Sequence, residues 1–319
     1  MNPDSVNFTE LLNGEPNPQL DAYEVFVCVL SALTVVLILT LNPICLVVLH
    51  RASGIQETTK VFMASLTVSD ICIGLFWVLP DLTQYFNRKW VLGSFLCTAI
   101  GVASTSLGGL SMFSLLLLTV DRFVAIVYSL RYPTLVTLKK AKTIVAITWS
   151  MTLTFSIIAF GIFLPYVISP SAPRKCIVAS HYNIYTSIVV SAIAISLVTI
   201  FILYMYILNV ARQQARRIAS QNQISVDLGD QNAPQRVSTK SATTVFIITM
   251  TVFICWTMSI IYTVTFSISE AILPPNFGDI TDLIFATNSW LNVVIYYLRN
   301  RELRQTLHEL IASCFHRGF

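Results

Sequence analysis

The stretch "LLTVDRFVAI", residues 117–126, places an aspartate and an arginine at the end of one of the most apolar runs in the chain. A charged side chain is costly in hydrocarbon, so it either reaches the membrane surface or serves a function. Of the 319 residues, 55% are hydrophobic and 11% are charged, and the mean hydropathy is +0.71. Soluble domains are about 25% charged. The composition therefore predicts a membrane protein.

Apolar runs of membrane-spanning length occur seven times. A hydrocarbon core about 30 Å thick takes ~20 residues of helix. The predicted spans, named first to seventh in chain order, are residues 23–50, 61–85, 96–120, 141–163, 185–210, 242–268 and 280–298. They predict an all-α membrane protein, a seven-transmembrane helix bundle over residues 23–298, with an N-terminal tail (1–22) and a C-terminal segment (299–319). The polar stretch at 218–237 is predicted to be a flexible loop.

The distribution of Lys and Arg predicts the orientation of the bundle. With the N-terminus outside, sixteen of the twenty basic residues fall on the cytoplasmic side and four on the outer side, as the positive-inside rule requires. We therefore expect a multi-pass plasma-membrane protein whose first span acts as an uncleaved signal anchor. The net charge of +4 reflects this bias and not a nucleic-acid patch. An outside N-terminus exposes the sequon at Asn7 to glycosylation.

The seven cysteines are an odd number, so at least one is unpaired. Cys97 and Cys176 fall at the outer, oxidising ends of the predicted topology, where a disulfide between them is plausible. Cys314 follows the last amphipathic segment and is a candidate either for palmitoylation or for a free thiol. The remaining four are expected to be small buried hydrophobes inside spans: Cys28, Cys45, Cys72 and Cys255.

The charged pair Asp121–Arg122 is predicted to lie at the inner membrane face. Arg122 is 25 residues beyond Cys97, which at 1.5 Å per residue is roughly 37 Å of helix, slightly more than the hydrocarbon thickness. An arginine there either faces a water-filled crevice between helices or snorkels from a helix end. Motifs in the other spans favour the crevice.

These motifs are distributed over the whole length of the chain. They are "LTVSD" ending at Asp70, "WVLGSFLC" at 90–97, "DRF" at 121–123, Trp149, "CW" at 255–256, "NSWLNVVIY" at 288–296 and "RNRELRQTLHEL" at 299–310. In order and spacing they resemble the rhodopsin-like (class A) G-protein-coupled receptors, in a divergent form. The last motif is similar to the family's eighth, surface-lying helix, with Leu303, Leu307 and Leu310 on one face.

The resemblance implies a set of switch residues. Arg122, next to Asp121, would meet a heterotrimeric G protein, and Tyr204 and Tyr296 match the tyrosines that support the opening of the bundle. Trp256 matches the sixth-span toggle, and Asn292 belongs to the seventh-span motif. Ser238 stands where the family carries the acid that locks the arginine, so raised basal signalling is predicted.

Asp70 falls near the middle of its span, where an unpaired carboxylate costs several kcal/mol. The resemblance implies a sodium ion beside it, since a hard cation prefers oxygen ligands. The implied set around the ion is Asp70, Ser111, Trp256, Asn288, Ser289 and Asn292. The alternative is a protonated Asp70 hydrogen-bonded to Asn292 and Asn42.

Three helix prolines of the family are absent. Ser196, Met258 and Val293 stand in their places in the fifth, sixth and seventh spans. Since such prolines kink helices, bending must come from other groups, such as serine side chains. Pro43 and Pro80 are predicted to kink the first and second spans.

The expected ligand site differs from that of amine receptors, which carry a third-span aspartate where this chain has Ser104. A retinal-binding lysine is also missing, since Ala286 occupies its place in the seventh span. Asp81 and Asp282 remain at the outer ends of the second and seventh spans, as the acids of a site for a cationic ligand or as solvated rim carboxylates. The predicted walls of such a ligand site are Ser104, Trp77, Trp256 and Tyr262.

Other classes of protein are less compatible with the sequence. It has neither a His-Glu-x-x-His motif nor a phosphate-cradling glycine loop, so we expect no enzyme, and no cofactor other than sodium. Related halves typical of transporters are not visible. The predicted protein is a receptor with an extracellular ligand, a G protein and membrane lipid as partners. The alternatives are a constitutively active orphan receptor and a seven-helix transporter or channel.

Overall fold

The computed structural model describes residues 21–87, 90–163, 183–227, 239–268, 274 and 276–317. All seven predicted spans are helical. Their bounds are Ala22–Arg51; Glu57–Ile73, the π-helical turn Gly74–Val78 and Leu79–Asn87 for the second span; Gly93–Val127; Leu138–Phe163; Asn183–Asp227; Thr239–Ile268; and Phe277–Arg299. A short helix, Tyr132–Leu135, lies between the third and fourth spans, and Arg301–Arg317 forms a surface helix after the seventh.

Length and apolarity vary among these helices. Within the described residues, the first five spans are long and apolar enough to cross a membrane, and the sixth contains the shorter apolar stretch Thr251–Thr265. The seventh span carries Asp279, Asp282, Asn288 and Asn292, which lower its hydropathy. A bilayer offers no water to bond backbone groups, so apolar and β-branched runs that would form strands in water become helices.

Most polar side chains of the spans point inward with part of the apolar ones, and other large apolar side chains point outward. Asn42, Ser69 and Asp70 are fully buried. The fourth span instead exposes large side chains along its length, with Ile157 71% exposed. Hydrocarbon is as good a solvent as the interior for such side chains, so this face is suited to lipid.

The third span lies at the centre of the bundle. The indole of Trp149 in the fourth span donates to the Ser65 hydroxyl over 2.9 Å, and the hydroxyls of Ser65 and Ser114 are also 2.9 Å apart. These bonds tie the second, third and fourth spans together. Gly108 permits a close contact with the seventh span, because a Cβ there would lie 2.8 Å from the ring of Phe285.

The predicted loop at 218–237 is wrong in its first half, because the fifth helix continues to Asp227. Its polar composition suggested a loop, but no Gly or Pro interrupts residues 211–227, and Ala, Gln and Arg favour helix. The first such breaker after it is Gly229. The fifth span therefore extends well beyond its apolar part.

The proline positions have different local structures. Pro43 lies inside the continuous helix Ala22–Arg51, whereas Pro80 follows the π-helical turn Gly74–Val78. In the fifth span the Ser196 hydroxyl donates to the carbonyl of Ala192 over 2.8 Å. That is the serine-to-backbone bond through which a helix can bend without proline.

The surface helix is amphipathic, as the leucine spacing predicted. Leu303 is buried against the first and second spans, and Leu307 and Leu310 pack on the same cluster. The Asn300 side chain accepts from the backbone N–H of Glu302 at 3.0 Å and caps the helix. Glu302 in turn accepts from the backbone N–H of Gly54 at 2.9 Å.

The cysteines predicted to lie inside spans are free thiols. Cys45 and Cys255 are buried as expected, while Cys28 and Cys72 are half-buried.

Candidate functional site

The inner end of the bundle, which carries Arg122, is organised by Asp121. This carboxylate is buried and accepts hydrogen bonds from Thr59 at 2.9 Å, from Tyr132 at 2.5 Å and from Arg122 at 2.8 Å. The guanidinium of Arg122 also bonds the Thr59 hydroxyl. The charged pair is thus a charge-assisted hydrogen-bonded network that joins the second span, the third span and the following loop.

Tyr132 is the residue of this network that the sequence did not reveal. Its hydroxyl donates to Asp121 and lies 2.7 Å from the Thr58 hydroxyl. Burial, together with the hydrogen bond to Asp121, raises the pKa of Tyr132 above its usual range. The phenol therefore stays protonated at physiological pH and remains a donor to the carboxylate.

A cavity of about 270 Å³ opens beside this network at the inner end, and we call it the inner crevice. Arg122 and Thr59 form one side, and Tyr204 and Val252 come from the fifth and sixth spans. The seventh span and the two residues that follow it supply Asn292, Ile295, Tyr296, Asn300 and Arg301. Four of the predicted switch residues, Arg122, Tyr204, Asn292 and Tyr296, therefore line one space.

Asp70 lies deeper in the bundle and is completely buried. Ser111 donates to one carboxylate oxygen at 2.9 Å and Asn292 to the other at 3.0 Å, and Ser289 faces the same carboxylate. Asn42 donates instead to the carbonyls of Ile38 and Ser289. The predicted hydrogen bond from Asn292 to Asp70 is present. Among the described residues, Asn42, the other partner in the alternative prediction, bonds only backbone carbonyls with its amide and does not donate to Asp70.

Several buried polar atoms near this acid lack a hydrogen-bond partner within the described part of the chain. Asn288 is on the same helical face as Asn292, and its side-chain oxygen is buried and unpaired. The Tyr296 hydroxyl is also buried and unpaired. Carboxylate, hydroxyl and amide oxygens of this kind fit a sodium ion, so the donor set is chemically suited to the predicted cation.

Trp256 belongs to an aromatic column that connects the core to the outer end. Its ring packs edge-on against Phe285 with centroids 4.7 Å apart, and Phe285 packs against Trp77 at 5.2 Å. Trp256 is 2% exposed, and its indole N–H has no partner within the described residues. Trp77, Phe285 and Trp256 therefore form a continuous series of ring contacts between the outer end and the core.

The outer end of the bundle brings Asp81 and Asp282 together, as predicted, and adds a third acid. Asp81, Asp279 and Asp282 lie around Tyr85, whose hydroxyl donates to Asp279 at 3.0 Å. Asp279 precedes Asp282 by three residues, so the helical repeat places them on one face, a signal that sequence reasoning missed. We call this site the outer acid pocket; its remaining walls are Ser31, Trp77, Val78, Leu283 and Ala286, and its volume is only about 10 Å³.

Three predicted ligand-site residues lie away from this pocket. Ser104 donates to the carbonyl of Gly101 at 2.9 Å, and Tyr262 packs against Phe277 with a centroid separation of 6.2 Å. Trp256 reaches the pocket only through Phe285 and Trp77. The pocket lies among the first, second and seventh spans, whereas Ser104 and Tyr262 belong to the third and sixth.

Some predicted sites fall outside the described residues. Asn7, Cys176 and Ser238 are among them, and the side chain of Cys314 is not described either. Cys97 is disulfide-bonded, and its partner is not among the described residues. The pairing with Cys176, the glycosylation and the palmitoylation stay predictions.

Comparison with known proteins identifies the family. Trace amine-associated receptor 13c of Danio rerio is 25% identical over 304 residues, which cover 90% of this chain and 85% of that receptor. Octopamine receptor beta-2R of Chilo suppressalis is 24% identical, with 90% and 80% covered. Probable G-protein coupled receptor 21 of Mus musculus is 26% identical, with 90% and 84% covered.

The family model for the 7 transmembrane receptor (rhodopsin family) matches residues 41–296. This range holds the acid Asp70, the Asp121–Arg122 pair and the whole seventh-span motif through Tyr296. The chain therefore belongs to the rhodopsin family of seven-transmembrane receptors, which are membrane signalling proteins and not enzymes.

Proposed function

We propose that this protein is a plasma-membrane receptor, with its N-terminus outside, that activates a heterotrimeric G protein when an extracellular cationic ligand binds. The observation that carries the proposal is the inner crevice, in which Arg122, Tyr204, Asn292 and Tyr296 surround a space of about 270 Å³. Sixteen of the twenty basic residues fall on the same side of the membrane as the inner crevice, and this bias supports a cytoplasmic position for it.

The crevice supplies a docking site for a G protein once Arg122 is released from its present partners. The guanidinium is bonded to Asp121 and Thr59, both on its second-span side. Outward movement of the sixth span would withdraw Val252 from the opposite wall and enlarge the crevice. A ligand drives this change only to the extent that it binds the open arrangement more tightly.

The ligand proposal rests on the outer acid pocket. Three carboxylates around Tyr85 favour a cation, and two relatives are named for trace amines and octopamine. A small amine held by Asp81, Asp279 and Asp282 would reconcile this similarity with Ser104 in place of the usual amine-binding aspartate. A volume of about 10 Å³ holds no more than one water molecule, so binding requires the outer ends of the second and seventh spans to separate.

The aromatic column offers a path from this separation to the core. Trp77 lines the outer acid pocket and contacts Phe285, which contacts Trp256. Movement of the second span would therefore shift Trp256, the sixth-span toggle, through Phe285. In this path the ligand signal starts at the second and seventh spans and not at the third span, where amine receptors carry their aspartate.

Sodium is proposed as an allosteric ligand at Asp70. Asp70, Ser111, Ser289 and Asn292 would hold it, with the unpaired oxygen of Asn288 available nearby. A bound cation would supply the counter-charge that a buried carboxylate lacks. The hydrogen bonds from Ser111 and Asn292 orient the Asp70 carboxylate.

The decisive experiment measures G-protein nucleotide exchange in membranes from cells that express the chain, first without ligand and then across a panel of amines. Arg122→Ala removes the guanidinium, and Arg131→Gln, an exposed arginine of the neighbouring loop, is the matched control. Exchange that depends on Arg122 and not on Arg131 supports the proposal. Equal exchange in the wild type and in Arg122→Ala at matched surface expression contradicts it.

A constitutively active orphan receptor is the second candidate function. The nearly closed outer acid pocket and Ser238 in the place of the locking acid both favour it. Basal exchange that is high, depends on Arg122 and does not change with any amine would favour this candidate. Basal exchange at the level of untransfected cells would remove it.

A further inference from the structure

A second cavity, of about 210 Å³, lies between the first span, the seventh span and the surface helix. We call it the lipid cavity. Its walls are Leu41, Ile44, Cys45, Val48, Val293, Val294, Tyr296, Tyr297, Leu298, Leu303 and Leu307. Almost all of this lining is apolar, and it shares only Tyr296 with the inner crevice.

The cavity opens toward the membrane and not toward the bundle interior. Cys45, Val48, Val293 and Leu303 form a buried floor, whereas Ile44 is 45% and Leu298 63% exposed. A groove of this kind in the wall of a membrane helix bundle faces acyl chains. Its apolar walls therefore fit an acyl chain.

Two arginines lie at the end of the cavity nearest the membrane surface. The guanidinium of Arg304 donates to the carbonyl of the lining residue Leu298 at 2.5 Å, and it also reaches that of Tyr297 at 3.3 Å. Arg51 follows the lining residue Val48 by three positions and so lies on the same helical face. Within the described residues, neither arginine forms an ion pair with a carboxylate.

We propose that the lipid cavity binds one anionic phospholipid, with an acyl chain on Ile44, Val48 and Val294 and the phosphate near Arg51 and Arg304. Apolar walls select a chain, and two cations at headgroup depth select a negative headgroup. This proposal takes the inner end to be cytoplasmic, as the proposed function does. Its test uses binding alone and is independent of G-protein coupling.

The position of the cavity gives the lipid access to the activation switch. The ring of Tyr296 separates the lipid cavity from the inner crevice, and its hydroxyl is buried without a partner in the described part of the chain. An acyl chain against Tyr296 opposes movement of that ring toward the first span. The lipid therefore acts on the same residue that the crevice uses.

The test is photo-crosslinking of the purified full-length chain in phosphatidylcholine nanodiscs. One sample contains a small fraction of phosphatidylserine and the other the same fraction of phosphatidylcholine, each with a diazirine on its acyl chain. Labelled peptides are located by mass spectrometry. Labelling of residues 41–48 and 293–298 should be at least about threefold stronger with phosphatidylserine, whereas the exposed fourth-span residues Ile147 and Ile157 should label equally with both lipids.

Variants separate the two parts of the site. Arg304→Gln should lower the phosphatidylserine labelling about fivefold, while Arg131→Gln should leave it unchanged. Val294→Phe fills the cavity and should abolish labelling there without affecting the fourth span; Ile44→Phe, at a more exposed position, repeats the test if the first variant fails to fold. Equal labelling by both headgroups, no labelling of the cavity, or no effect of Arg304→Gln would overturn the proposal.

Discussion

The outer acid pocket and the inner crevice lie at opposite ends of one bundle and differ in both space and charge. The outer pocket has three carboxylates around about 10 Å³, whereas the inner crevice has Arg122 and Arg301 beside about 270 Å³. The outer end is thus closed around its charges, while the inner end already has room for a partner's side chains. The outer pocket must therefore open to admit a ligand, whereas the inner crevice has space that the proposed release of Arg122 and movement of the sixth span would enlarge.

The largest expected effect is at the inner end. Arg122→Ala should lower G-protein nucleotide exchange about 30-fold or more, because truncating a buried charged contact to a partner costs at least about 2 kcal/mol. The measurement is exchange per receptor at the cell surface. A loss of less than threefold would show that the inner crevice acts without its arginine and would break the comparison.

At the outer end, Asp282→Asn should weaken the binding of an activating cationic ligand at least about tenfold, or by about 1.4 kcal/mol. Asp279→Asn should act in the same direction, because both acids surround Tyr85. Concentration–response curves give the shift, and Asp21→Asn, at the exposed start of the first helix, is the control. An unchanged curve for both pocket variants would assign these acids to the solvated rim.

The network around Asp121 should contribute to stability. Tyr132→Phe removes a 2.5 Å donor to a buried carboxylate, which should cost about 1.5 kcal/mol and lower the Tm by about 4 °C. Tyr128→Phe, whose side chain is half exposed, is the matched control. A Tm equal to that of the control would mean that the loop does not hold the carboxylate.

The pH dependence of this contribution follows from the raised pKa of Tyr132. A group whose pKa is raised on folding contributes stability that is present below its unfolded pKa, about 10, and is lost as the pH rises through the folded value. The difference in Tm between Tyr132→Phe and wild type should therefore be the same at pH 6 and pH 8. A difference that shrinks between these values would contradict the donor role.

The smallest expected effect lies between the two ends. If sodium binds at Asp70 and its concentration is about ten times the Kd, binding adds about 1.4 kcal/mol to the free energy of unfolding. It should then raise the Tm by about 3 °C relative to choline chloride. Asp70→Asn should remove this dependence on sodium. An equal sodium effect in both proteins would indicate screening of surface charges and not a site.

The sequence predicted the helices better than it predicted their contacts. Long apolar runs determine spans because the bilayer imposes one length and one way to satisfy the backbone hydrogen bonds. The same reasoning missed the helical extension to Asp227, since polarity alone does not separate a loop from a helix that leaves the membrane. Absence of Gly and Pro was the available signal.

The candidate sites divide in the same way. The Asp70 cluster and the residues of the inner crevice were predicted from the resemblance to the receptor family, which rests on local motifs whose order along the chain is distinctive. Tyr132 and Phe285 were missed, since their roles depend on where a loop and two helices meet in space. Ser104 was predicted to border the ligand site because it stands where amine receptors carry an aspartate, and Tyr262 was predicted as a wall, but neither position determines the direction in which a side chain points.

The fourth span shows how much of the chain is free to change. Apart from anchors such as Ala141, Trp149 and Ala159, its side chains face outward, and Met151 is 69% exposed. Exchanges among Ile, Leu, Val and Phe on that face alter neither packing nor hydrogen bonding, so they can accumulate as neutral drift. Low identity between this chain and its relatives is therefore compatible with strict selection on the few inward positions that keep the receptor working.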